Sequence, residues 1–524
     1  MKSFKSFVLI FALTAMMPMQ IFAQKAEVIR CYDEKCVFDV LQKLRSADAQ
    51  TVNEARKAIV MICDEAWMSG DSRMSDALKN SLIPFVEKFS DDASTPLLIS
   101  QLPKFCNSKD VEYIMQLTEN ESLADKIIRV VGEINGTGDY IERYINENRD
   151  DLKNKAAWAY AVGKQNIVSM ENELISWLKG ADESTRADIY KALVVIRTNE
   201  KTTSIIKKGV KKLLKSKSSS NRCAGLEIMS DLDGEQAMPA FYKALKDKSS
   251  DVRVTALSLM KPYVNQDVVN KVMSKCKKGD ALADAIDWLG DIKNSSYMPL
   301  IITQLKSDDP KLVEASIRAI FKIDNQDGIE AVKPMFGGDY QKVIKESMLA
   351  YEGDYIKLMN SLLKTGNVKQ ILGALQIIES RPSTEFGERV KVMTGYNNPM
   401  VKDEAFMVLP LVVVQRNAEY LKDLLLECDN KYVMDVQMAI KTAMKNATVE
   451  EKDHFVATLK HTNPLIIPRF YKIFAYFGTK TSVEKLINAY REGPDSEEAK
   501  IALYLVDNKE FTQRINEVLQ EKNL

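Results

Sequence analysis

The residues that could do chemistry are few and unevenly spread. The densest group is Lys201 to Arg222, KTTSIIKKGVKKLLKSKSSSNR, with eight basic residues and no acid. At helical spacing Lys207, Lys208, Lys211, Lys212 and Lys215 share one side, while Ile206, Val210, Leu213 and Leu214 form the other. Ammonium groups gathered on one face concentrate anions. The stretch is therefore a candidate site for an acidic glycan, a lipid head group or an acidic protein, against the plain alternative of a solvated helix face. The only two histidines, His454 and His461, have no cysteine or third ligand nearby, and their spacing is not that of a zinc site. No P-loop, Gly-x-Gly-x-x-Gly or Gly-x-Ser-x-Gly occurs. No catalytic, cofactor or metal residue is assigned, and the chain reads as a non-enzyme.

The elements that must carry the lysines are helices. Of 524 residues 45% are apolar and 28% charged, with only 15 Pro and 21 Gly, a globular composition that favours helix over sheet. The segment NRCAGLEIM (221–229) aligns without gaps with VRVTALSLM (252–260). The echoes AIDWL (285–289), SIRAI (316–320), SMLAY (347–351), ALQII (374–378) and AFMVL (405–409) follow at steps of 29, 31, 31, 27 and 31. A period of about 30 residues marks a repeat array. Each unit reads as helix, polar turn, helix, as in SSYMPLIITQLKS, then Ser307 to Pro310, then LVEASIRAIFKI. Asp309 is the expected N-cap and Pro310 the first helical residue. In the earlier copy Asp251 is the expected cap, with Val252, Ala256 and Leu259 facing the next layer. The expectation is an all-α fold, an α-solenoid in which each unit buries its apolar face only against its neighbours. Trp158 and Trp288 fall at second-helix positions and read as repeat core rather than as a sugar platform.

Leu245-x-Asp247-x4-Val252-Arg253, and Trp288-Leu289-Gly290-Asp291-Ile292 leading to Pro299, resemble the HEAT family in its short, phycobilisome-lyase-like form. The resemblance is clearest from Ser216 to Gly353, and Val313 stands where the family expects arginine. It implies a scaffold whose second helices present Lys311, Glu314 and Arg318 outward as candidate contacts. It also raises a lyase alternative, but no pigment-handling motif accompanies it.

Residues 1–23, MKSFKSFVLIFALTAMMPMQIFA, have the basic start, short apolar run and small final residue of a cleaved signal peptide. The leader resembles those of Gram-negative bacteria, so the expected location is periplasmic or secreted, with no transmembrane segment after cleavage. The expected domains are degenerate helical repeats over 24–215 and a HEAT-like solenoid over 216–524 with a C-terminal cap. The best candidate for a break is SKSSSNR (216–222). Of seven cysteines only Cys31 and Cys36 are close, and they can bond only if the chain turns between them, because five residues of helix rise about 7.5 Å. Equal numbers of basic and acidic residues, 73 each, argue against a nucleic-acid partner. The function expected is an exported, non-enzymatic scaffold for an unidentified protein partner. The alternatives are a glycan- or lipid-binding accessory module and a cryptic hydrolase.

Overall fold

The computed structural model describes residues 31–521, and the expected leader lies outside them. Among the described residues there is no strand, and short helices follow one another, neighbours in sequence packing in pairs. Second helices pack on second helices of the next pair, as Lys155–Lys164 does on Glu183–Ile196 and Gly279–Asp291 on Pro310–Ile323. This is the α-solenoid of HEAT-like pairs that the period implies. The chain divides into two compact units, Met1–Pro262 and Tyr263–Leu524. No helix among the described residues is long and apolar enough to cross a membrane. The apolar run at 405–414 lies mostly in Pro399–Val412, a helix of 14 residues.

Local chemistry sets the helix ends. Asp309 accepts from the Lys311 backbone N–H at 3.0 Å, and Pro310 opens the helix without a missing bond. The earlier copy differs from expectation. Its helix begins at Ser250 with Ser249 at the cap, so Asp251 lies inside the first turn, where its charge favours the helix dipole. Val252, Ala256, Leu257 and Met260 are buried there, and Leu259 is only half-buried. A stripe broader than the repeat alignment indicated faces the core. The stretch 216–222 is the turn and first helical turn of Ser219–Asp233, which packs on both Glu183–Ile196 and Glu200–Leu213.

Gly290 explains part of the Trp288 to Ile292 signature. A Cβ there would lie 2.8 Å from Ala319 Cα on the next second helix. Gly132 meets Ala161 and Gly163 meets Ala192 in the same way, each one repeat further on. Gly290→Val must push two helices apart. We expect it to cost about 1–3 kcal/mol in denaturant unfolding, as overpacking does.

Cys31 and Cys36 form a disulfide with Cα atoms 5.4 Å apart. The helix starts only at Glu34, capped by Asp33, whose carboxylate accepts from the Cys36 N–H, so Cys31 lies outside the helix and can turn back. Cys63, Cys106, Cys276 and Cys428 are buried, and burial pushes the Cys63 thiol up to about 12. Trp158 and Trp288 are core residues, as is Trp177, whereas Trp67 is exposed.

Candidate anion-binding site

The lysine stretch folds as the helix Glu200–Leu213, with Asn199 as its cap and Lys211 and Lys212 in its last turn, where cations suit the helix dipole. Its apolar stripe of Ile206, Val210 and Leu213 is buried. Gly209 lets the helix lie directly against the Tyr190 ring, where any Cβ would clash. The opposite face keeps Lys207, Lys208, Lys211, Lys212 and Lys215 at the surface.

These lysines differ in their surroundings. Lys207 is tied to Asp233 at 2.8 Å. Lys211 and Lys215 instead rim a cavity of about 560 Å³ between their helix and the next first helix, Met238–Ala244. The far rim is formed by Lys243 and Lys246. Lys208 and Lys212 do not line it. Leu214, Leu226, Ala240 and Val252 contribute apolar surface.

At the base lies a nearly buried ion pair. Arg222 Nε and Nη2 donate to the two Asp247 oxygens, each at 2.7 Å. Arg222 Nη1 donates to the carbonyls of Ser216 and Lys217, both at 3.0 Å, which satisfies backbone acceptors in the turn between the two helices. Arg222, read from sequence as part of the basic stretch, is therefore a buried structural residue. Its guanidinium holds the Asp247 carboxyl below the usual carboxylate range. Asp247 is the only acidic residue on the lining, so four lysines line the cavity with no carboxylate but the one held by Arg222.

Spacing along the lysine helix does not single out Lys243 and Lys246, yet the period marks them. They stand one repeat beyond Lys212 and Lys215. Two successive repeats thus place lysines at equivalent positions, and of the earlier pair Lys215 shares the cavity with Lys243 and Lys246 while Lys212 does not.

Lys311, Glu314 and Arg318 belong to the second unit and do not line this cavity. Lys311 pairs with Asp280 at 3.0 Å. Arg318 forks onto Asp287 at 2.9 and 2.7 Å and lies 3.7 Å from Glu314. Lys322 meets Asp291 at 2.6 Å. The partners Asp280, Asp287 and Asp291 each precede their cation by one repeat, so these side chains form a ladder holding one second helix to the next.

His454 is exposed on a helix, and His461 is an exposed loop residue whose Nδ1 accepts from the Asn463 N–H. Among the described residues no group of three or more side chains could hold a metal ion. The fold and this cavity define an α-solenoid with a built, cation-rimmed recess. No protein-family model and no curated protein matches the sequence. Solved structures do resemble it. The crystal structure of Kap121p matches with TM-score 0.43 and 12% identity over 93% of this chain and 54% of that one. Kap121p bound to Ste12p matches with TM-score 0.42 and 12% identity over 93% and 55%. The chain spans about half the length of the solved structures it matches.

Proposed function

We propose that this chain is a non-catalytic binding scaffold of the cell envelope that holds an acidic, partly apolar segment of a partner protein in the lysine-rimmed cavity. The observation that carries the reading is four lysines around apolar surface, with the one lining carboxylate consumed by Arg222. A polysaccharide would use the charge but not the apolar surface. A peptide carrying Asp or Glu beside Leu or Phe uses both. The volume suits a few side chains rather than a whole domain, within the roughly 300–1,000 Å³ of typical ligand pockets. Export is supported by the leader sequence and by the Cys31–Cys36 disulfide, a bond favoured in oxidising compartments.

The test is fluorescence anisotropy of the mature chain, Gln24 to Leu524, with a labelled peptide alternating Glu and Leu. A peptide alternating Ser and Leu and a polyglucuronate chain serve as competitors. We expect the acidic peptide to bind and to weaken as salt rises. Lys211→Glu/Lys243→Glu should weaken it at least tenfold, a difference of about 1.4 kcal/mol. Equal binding by the variant would refute the site. Displacement by polyglucuronate at equal charge would transfer the site to an acidic glycan.

A further inference from the structure

The second unit repeats one surface position along its second helices. Asp287, Arg318, Leu349, Gln376, Met407 and Met438 follow at steps of 31, 31, 27, 31 and 31. The first two are closed on each other by the forked ion pair. Met407 and Met438 belong instead to an apolar face on the helices Pro399–Val412 and Val433–Ala443, which pack on each other. Met400 is 64% exposed, Met407 52%, Leu411 43%, Met434 63% and Met438 38%. Met400, Met407 and Leu411 lie at i, i+7 and i+11, and Met434 and Met438 at i and i+4, so each helix shows a stripe. Isolated exposed apolar residues are ordinary, but five on two adjacent helices are not.

Acids are set into this face. Glu404 lies between Met400 and Met407, and Asp435, one period on, lies beside Met434. Both are half-buried and neither has an ion-pair partner among the described residues. Burial pushes both carboxyls above their ordinary range, helped at Glu404 by neighbouring Glu379. Cations at the border are engaged elsewhere. Lys431 holds Asp403 at 2.6 Å, Lys402 lies 3.5 Å from Asp429, and Lys441 sits over the Tyr476 ring. Lys345 acts on Glu404 only at longer range.

We infer that this face docks a basic amphipathic helix of a partner protein, its apolar side on the methionines and its cations on Glu404 and Asp435. From Met400 to Leu411 the stripe spans about 16 Å, three turns, which matches a partner helix of about a dozen residues. Unbranched methionines adapt to varied apolar side chains, as surfaces that take up helices require. The surface is independent of the lysine cavity and would take a partner segment of opposite charge.

The probe is a labelled 18-residue peptide of Lys and Leu at helical spacing. Its control is a scrambled peptide of equal composition without an apolar face. Both are titrated onto the mature chain, onto Met407→Lys/Met438→Lys, onto Glu404→Gln/Asp435→Asn, and onto Lys211→Glu/Lys243→Glu. We expect the amphipathic peptide alone to bind. Affinity should fall at least about tenfold in the methionine variant, fall less in the amide variant with a smaller salt dependence, and not fall in the lysine variant. Because the methionines are exposed, circular dichroism should show that variant folded. Equal binding by the methionine variant, or equal binding of the scrambled peptide, overturns the inference. So does concentration-dependent self-association that the methionine variant abolishes without peptide binding, which would give the face to a second copy.

Discussion

Arg222→Met will lower the free energy of unfolding by about 3–5 kcal/mol, the usual effect of removing one member of a buried ion pair. Arg222 is 7% exposed, and its fork spans the Asp247 carboxylate and the Ser216 and Lys217 carbonyls. Methionine fills much of the space but leaves two carbonyls without a donor and the Asp247 carboxylate with only the Ser249 N–H, and that desolvated remainder carries the cost. Asp247→Asn should cost less, because an amide oxygen still accepts from the guanidinium. The pair also has a pH signature. The folded-state pKa of Asp247 is depressed, so its contribution is full above the unfolded value of about 3.9 and is lost as pH falls through the lower folded value. Denaturant unfolding between pH 2 and 7 should show the wild-type advantage over Asp247→Asn shrinking only in acid. A functional consequence accompanies the structural one. In Arg222→Met the Asp247 carboxylate loses its guanidinium and becomes available to compete for the lysines of the cavity. Binding of the acidic peptide should weaken even where the variant remains folded.

Trp158→Ala should be comparably destabilising, at about 3–5 kcal/mol. The indole is 1% exposed and stacks on Tyr144, with centroids 4.8 Å apart. It closes one side of a second cavity of about 560 Å³ whose lining is largely polar, including Asn148, Asp151 and Asn154. Truncation opens that recess to water rather than leaving a dry void, and it removes the stacking partner of Tyr144. Trp158→Phe should recover more than half of the loss, because a ring still meets Tyr144. A Trp158→Ala variant as stable as wild type in urea unfolding would mean that the ring is not part of the repeat core.

Much of the fold was legible because the relevant forces act within one helix pair. The apolar stripes, the Asp309 cap and Pro310 at the helix start are local consequences of helical geometry, and a stack of like units repeats them with every period. The structure departs from the alignment at Asp251 and Leu259 for a related reason. Alignment transfers a register only to within a residue, and here the helix begins one residue before Asp251, at Ser250, without a side-chain cap.

The candidate site was half legible. A lysine helix with an apolar back is a one-dimensional pattern and was visible as such. Whether those lysines stand free, pair with acids or line a recess depends on residues a repeat away. Stacking alone brought Lys243 and Lys246 opposite Lys211 and Lys215 and sent Lys207 to Asp233. It also drew Arg222 inward onto Asp247, and Lys311 and Arg318 onto Asp280 and Asp287. The sequence by itself determined helices, repeat and stripe, because those follow from spacing along one chain segment. Only the tertiary structure decided which charges remain uncompensated and which apolar residues remain uncovered, because both depend on distances between side chains that belong to different repeats.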